Sequence, residues 1–529
     1  MAYDYLLQRG TIVDGSGSPS YVGDVGIQDE KIVAVGDLSG VEAAMTMDCT
    51  GMVVCPGFVD MHGHSELEAL RAGHMHGKLA QGITTEVAGN CGVGVYPLGL
   101  TKESLTNLQE LTRDVLGDYE GAWDWKSFGG FSKKLSARGI GTNIAFLQSH
   151  SALRCASLEG NPNRAAKTDE LQRMVALLEQ AFDQGCVGFS SGLYYAPCLF
   201  ADRTELVALL SATARAGKIF AVHHRCEGDE VLPSLREVLD LAKETGVRLE
   251  ISHLKAIGRK NQDKVPRMLR MIEFYRAGGV DVLFDQYPYE YGSTSLFSLL
   301  PPDYLRFSRD ELRQKLREPG HRAIIRRSME QPDGWDSIQE LCGWSDISVV
   351  SLDSTTEYDG MNFTDIALKR SQNPFDAFFD ILAGERGAAL MVDITQTQES
   401  LKMIMRHPLG CFGTDALYSG GRCHPRSWAA AVHLLDRYWK QEEVLPLEQT
   451  IRRMTYEPAH RLGLQDRGLV KEGFQADLVV FNPRTIHANA TVQEPTALNA
   501  GVELVMVNGT VAYDKGSFTN ELAGKVLIL

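Results

Sequence analysis

Short apolar runs recur along this chain, and between several of them lie longer stretches whose apolar residues fall three or four positions apart. The runs read as strands and the spaced stretches as amphipathic helices. Strands are predicted at Phe58–Met61, Thr84–Ala88, Asn143–Leu147, Val187–Ser190, Ile219–Val222, Leu249–Ser252, Val280–Asp285, Leu390–Ile394 and Gly410–Gly413. Helices are predicted at Thr168–Gln184, Arg203–Ala216 and Leu232–Thr245. Alternating β and α elements imply a parallel sheet. Nine strands are one more than a (β/α)₈ barrel needs, so one is an accessory strand or does not form.

The two ends of the chain have a different texture. Tyr5–Leu7, Thr11–Val13, Val22–Ile27 and Lys31–Val35 are β-like runs broken by Arg9-Gly10, Asp14-Gly15 and Asp29-Glu30. Near the C-terminus, Asp477–Phe481, Val502–Val507 and Thr510–Tyr513 repeat the pattern, with Asn508-Gly509 between the last two. Asn-Gly between apolar strands is a strong hairpin signal. One small sheet domain assembled from both termini is the expected arrangement. Residues 290–350 break the rhythm with Pro301-Pro302, Pro319, Pro332, Trp335, Trp344 and a charged helical middle, Arg309–Arg317. So long an interruption between barrel strands reads as a lid or inserted subdomain.

Composition narrows the class. With 44% hydrophobic and 23% charged residues over 529 positions, a disordered or fibrous chain is excluded. The 68 acidic and 53 basic residues leave a net charge of −15, which argues against nucleic acid or an anionic membrane as partner. No apolar stretch approaches membrane-spanning length, and MAYDYLLQRG does not resemble a signal peptide. The ten cysteines are scattered without paired spacing, so free thiols in a reducing cytoplasm are expected.

The chemistry gathers at strand ends. His62 and His64 follow the strand PGFVD, and residues two apart on a strand share a face, so both can reach one metal ion. His223 follows IFAV, His253 follows LEIS and Asp415 follows CFGT. One such residue is ordinarily a satisfied core histidine or a capping aspartate. Five at the C-terminal ends of strands, where barrel active sites lie, point to a metal site. Imidazole and carboxylate suit a zinc-like ion, and Asp415 is placed to take a proton from water and pass it to a leaving amine. The reaction class is metal-assisted hydrolysis.

The motifs PGFVDMHGHSE, QGITTEVAGNCG, GFSSGLYYAP, HHRCEGD, ISHLKAIG, DQYPYEYGST, GTDA and MTYEPAHRLGL…GFQADLVVFNP, in this order, resemble the amidohydrolase superfamily, and within it the D-aminoacylase (N-acyl-D-amino-acid deacylase) branch. The resemblance spans nearly the whole chain. It implies a metal-dependent (β/α)₈ TIM-like barrel over residues 57–465, a small β-sandwich domain from residues 1–56 and 466–529, and a lid over 290–350. Many two-metal amidohydrolases carry a carboxylated lysine at the end of strand four, where this chain reads Val187-Gly188-Phe189-Ser190-Ser191. A thiolate at Cys91 can take that ligand's place.

By the same resemblance Cys91, His223 and His253 hold a tight zinc ion, with His62, His64 and Asp415 around a second site that is weaker or vacant. A shift of strand five by one residue would make His224 the ligand instead of His223. The implied substrate is a small N-acyl-D-amino acid, its carboxylate read by Tyr195, Lys255, Tyr287, Ser293 and Arg426. After Arg426 the chain reads Trp428-Ala429-Ala430 where the family tends to have Gly-Thr-Phe, so acyl or side-chain preference is expected to differ. His150 ends a strand with no role apparent. Two other readings stand beside this one: a ring-opening hydantoinase or dihydroorotase type, disfavoured by the missing lysine, and an inactive barrel used as a scaffold.

Overall fold

Eight of the nine predicted strands pair side by side in a single parallel sheet. They are β1 (Phe58–Asp60), β2 (Ile83–Ala88), β3 (Asn143–Ser149), β4 (Gly188–Gly192), β5 (Ile219–His223), β6 (Arg248–Ile251), β7 (Val282–Gln286) and β8 (Gly410–Phe412). The computed structural model describes residues 3–419 and 422–529. β8 closes back on β1 through Met61 N–H to the Phe412 carbonyl (3.1 Å) and a parallel bridge between Gly63 and Ala416. The result is a closed barrel.

Alternation along each strand sorts side chains between two cores. Val87, Ala145, Leu147, Ile219 and Ala221 fill the barrel interior, which Ala459 and Leu462 of helix Tyr456–Leu462 help to pack. Val222, Phe220 and Phe189 face outward into the layer of helices. Those helices start and stop where local chemistry directs. Asp202 caps Arg203–Arg215 by accepting from Glu205 N–H (2.9 Å), and Gly246 at φ 73° ends Val231–Thr245.

The termini build one nine-stranded sheet. Both of its faces are apolar, and period-two alternation divides them. Val479, Phe481, Val505 and Val507 pack with barrel-side residues such as Leu79, Ile83 and Leu435. Leu478, Val480, Leu504 and Met506 face Leu7, Ile12, Val25 and Ile27 of the N-terminal strands, so the sheet encloses a core of its own. The hairpin at Asn508-Gly509 forms as its sequence requires, both residues at positive φ (46° and 78°).

The ninth strand lies elsewhere. Ala389–Ile394 is the central strand of a three-stranded antiparallel sheet, flanked by Tyr291–Ser295 and Ile347–Leu352. That sheet belongs to an excursion between β7 and β8 with its own buried core, including Leu299, Leu316, Ile325, Ile347, Phe378 and Met391. The interruption visible over 290–350 is thus the first part of a longer accessory subdomain. Among the described residues no helix is long and apolar enough to cross a membrane.

Candidate metal centre

The C-terminal ends of the barrel strands bring seven potential ligands together. His62 and His64 follow β1, Cys91 follows β2, His223 ends β5, His253 follows β6 and Asp415 follows β8. The seventh, Glu227, lies just past β5. Cys91 Sγ lies 3.3 Å from His62 Nε2 and 3.4 Å from His253 Nε2, and His223 Nδ1 lies 3.0 Å from His253 Nε2. On the other side His64 Nε2 and His62 Nε2 approach Asp415 Oδ1 at 3.2 and 3.5 Å. Three overlapping groups have donor atoms within 4.8 Å of one another: His62/Cys91/His253, His62/His64/Asp415 and His223/Glu227/His253.

The backbone is bent to achieve this. Cys91, His253 and Asp415 all sit at positive φ (52°, 35° and 52°), a conformation that costs a non-glycine residue energy and concentrates at functional sites. Gly192 ends β4 where Cys91 arrives; a Cβ there would lie 2.2 Å from the Cys91 carbonyl oxygen. The Cys91 loop therefore lies across the end of β4.

Burial alone would push the Cys91 thiol up, but the His62 and His253 imidazoles beside it hold it well below the ordinary thiol range. Asp415 behaves likewise. Burial raises it, and Arg426 and His62 more than offset that, holding it ionised. A thiolate, two carboxylates and four imidazoles converging in a buried site suit a zinc-like cation. His64 Nδ1 is buried and has no partner among the described residues, an arrangement a ligand would relieve.

Supporting contacts hold the donors in place. Asp285 of β7 accepts from the His253 backbone N–H (2.8 Å) and lies 3.2 Å from His62 Nδ1, orienting that ring. Below, buried Lys78 joins Asp60 and Glu86, and Asp60 accepts from the backbone N–H groups of His62 and Thr414. This ties the end of β1 to the end of β8.

His223, not His224, faces the centre. Ile219 and Ala221 point into the barrel, so His223 at the next alternate position does too. His224 points the other way, with Nδ1 2.9 Å from Ser234 Oγ, and burial pushes it down to about 3. His150 also lies outside the donor set. Its nitrogens meet Ser191 Oγ (2.9 Å) and Glu205 (2.8 Å), in a buried network with Arg154.

The expected substrate contacts divide. Lys255, Tyr195, Tyr287 and Ser293 all line a cavity of about 40 Å³ shared with His223, His253 and Asp415. Tyr195 Oη accepts from Thr294 Oγ1 (3.2 Å), leaving its own proton free, whereas Ser293 Oγ already donates to the Met391 carbonyl (2.7 Å). Arg426 is elsewhere. It is fully buried, lines neither this cavity nor the larger one beside it, and places Nη1 2.9 Å from Asp415 Oδ2. Arg426, expected from the motif among the substrate contacts, meets Asp415 here and not the cavity that holds the other four.

Glu227 and Asp285 were not singled out in the sequence. Both lie inside motifs quoted above, HHRCEGD and DQYPYEYGST. A carboxylate closing the apolar strand Val282–Gln286 was the available signal for Asp285.

The model of the amidohydrolase family matches residues 45–312 and 375–513. D-aminoacylase from Alcaligenes xylosoxydans xylosoxydans is 31% identical over 525 residues, covering 99% of this chain and 97% of that one. The chain belongs to the D-aminoacylase (N-acyl-D-amino-acid deacylase) family of amidohydrolases. A solved D-aminoacylase with a binuclear metal center superposes on this amidohydrolase with TM-score 0.84, 30% identity and full coverage of both chains. So does N-acyl-D-glutamate deacylase from Bordetella bronchiseptica, solved with zinc and a phosphonate mimic of the tetrahedral intermediate (TM-score 0.85, 30% identity). Relatives of this amidohydrolase thus hold metal, and its own barrel presents the donors described above.

Proposed function

We propose that this amidohydrolase hydrolyses N-acyl-D-amino acids to a free D-amino acid and a carboxylic acid. The observation that carries the reading is the convergence on His253 of Cys91 (3.4 Å) and His223 (3.0 Å), with His223, His253, Asp415 and Lys255 lining one cavity. Kinship at about 30% identity over the full chain with enzymes of that activity supports it.

Cys91, His223 and His253 would hold one zinc ion tightly, and His62, His64 and Asp415 would surround a second site. A bound zinc ion acidifies water and polarises a carbonyl. The chain's own residues do the rest. Asp415, kept ionised by Arg426, accepts a proton as water adds to the amide carbon, then delivers it to the nitrogen as the C–N bond breaks. Lys255 pairs with the substrate carboxylate, Tyr195 and Tyr287 donate to it, and Ser293 joins by turning its hydroxyl from Met391. Arg426 acts through Asp415 as a positioning residue. The accessory subdomain, including residues 290–350, forms a lid that shields the reaction from bulk water.

A panel of N-acetyl-D- and N-acetyl-L-amino acids, hydantoins and dihydroorotate, assayed with and without added zinc, tests the reading. Release of D-amino acids, lost with a chelator and restored by zinc, is expected. Ring opening without N-acyl-D hydrolysis would replace the proposal with a cyclic amidohydrolase.

A further inference from the structure

A larger cavity of about 470 Å³ opens from His64, Cys91, His253 and Asp415 and runs between helix Lys102–Leu116 and the accessory subdomain. Leu111, Val115 and Leu417 line one side and Phe297, Phe307 and Leu312 the other. Among the described residues lining it, Arg309 is the only lysine or arginine.

That cation is already matched. Arg309 Nη2 donates to buried Asp114, which also accepts from Ser295 Oγ and from the Ala389 backbone N–H (3.2 Å). The Arg309 guanidinium lies over the Phe297 ring, 3.5 Å from its centre. Its Nη1 is buried and has no hydrogen-bond partner among the described residues. Glu103 and Glu110 add negative charge to the same lining. A carboxylate entering here would leave water for a lining whose one cation is already paired and whose other charges, Glu103, Glu110 and Glu311 among them, are like its own, a transfer that is costly without a partner.

We infer that this cavity receives a bulky apolar group of the substrate, and that the Asp114–Arg309 pair is a specificity device that excludes acidic side chains. The inference rests on the proposed N-acyl-D-amino-acid reading and separates this chain from relatives that take N-acyl-D-glutamate. The apolar group has two sources, the amino-acid side chain or the acyl chain, and the cavity's chemistry is the same for both.

The test is kcat/KM for N-acetyl-D-alanine, N-acetyl-D-leucine, N-acetyl-D-phenylalanine, N-octanoyl-D-alanine and N-acetyl-D-glutamate. The best apolar substrate should exceed the glutamate derivative by roughly 10- to 150-fold, the worth of one charge-assisted contact. Gain along the leucine and phenylalanine arm assigns the cavity to the side chain; gain with octanoyl assigns it to the acyl group. Asp114→Asn should free the guanidinium and narrow the apolar-to-acidic ratio, and adding Arg309→Gln should widen it again. Equal turnover of the leucine and glutamate derivatives by the natural chain overturns the inference, as does an Asp114→Asn ratio that does not move. If Asp114→Asn does not fold, the ratio in the natural chain still decides. Absence of turnover on every N-acyl-D-amino acid would instead bring down the functional reading, and this inference with it.

Discussion

Lys255 Nζ lies between both oxygens of Glu227, at 2.7 and 2.8 Å, and both side chains are buried. Glu227 Oε1 is also 3.3 Å from His253 Nδ1, and Oε2 is 3.5 Å from His223 Nε2. One carboxylate thus faces the proposed carboxylate reader and two proposed metal ligands. Burial would push it up, but His223, Lys255 and His253 hold it well below the usual carboxylate range. It is a buried anion held by one ammonium and two imidazoles.

Glu227→Gln should lower kcat/KM by roughly 10- to 150-fold while leaving metal content at that of the natural chain, as expected of a counter-charge to Lys255 outside the proposed Cys91, His223 and His253 set. Metal analysis beside the kinetics decides. Loss of metal in step with activity would make Glu227 a ligand.

Cys91→Ala should remove bound metal and activity together, since it deletes the one thiolate in the donor set. Metal content by elemental analysis of the purified variant checks this. Normal zinc and normal turnover would exclude Cys91 from the centre.

Asp415→Asn keeps the side chain's shape but cannot carry the proton. A fall in kcat of roughly 10²–10⁴-fold is expected, with a much smaller change in substrate binding. Full activity would send the search for the proton carrier elsewhere.

Lys255 and Arg426 should separate when the substrate carboxylate is amidated. Lys255→Ala should lose roughly 10- to 150-fold on the acid and little on the amide, because the anion it pairs with is gone. Arg426→Gln should lower kcat on acid and amide alike, because its guanidinium meets Asp415 instead of the cavity. An acid-selective defect in Arg426→Gln would return that residue to the substrate.

Lid closure predicts protection of the accessory subdomain. Limited proteolysis within residues 290–350 should slow when an N-acyl-D-amino-acid phosphonate is added, with cut sites read by mass spectrometry. Identical cutting rates with and without the phosphonate would mean a fixed wall.

Much of this was legible before any coordinate. The alternation of Ile219–Val222 with the helix Arg203–Ala216, and its repeats, was enough for a parallel barrel, because local periodicity is set by the backbone geometry of each element. Ligand residue types at strand ends, His62, His64, His223, His253 and Asp415, followed from the same reading, since a strand's end and its facing are local properties. The motif resemblance added Cys91.

Relations between distant segments were decided only by the tertiary structure. Leu390–Ile394 has the largely apolar pattern of a barrel strand, yet it lies in the central strand of the accessory sheet. A strand buried on both faces reads the same in either setting. The choice of His223 over His224 needed the register of β5 against its neighbours. Arg426 carries the same charge whether it meets a substrate or Asp415, and only packing put it 2.9 Å from the latter. Glu227 meets Lys255 across 28 residues, and Asp285 meets His62 across 223. Periodicity carries no information at those separations, so which charges neutralise one another, and hence what the cavity can admit, is a property of the folded chain.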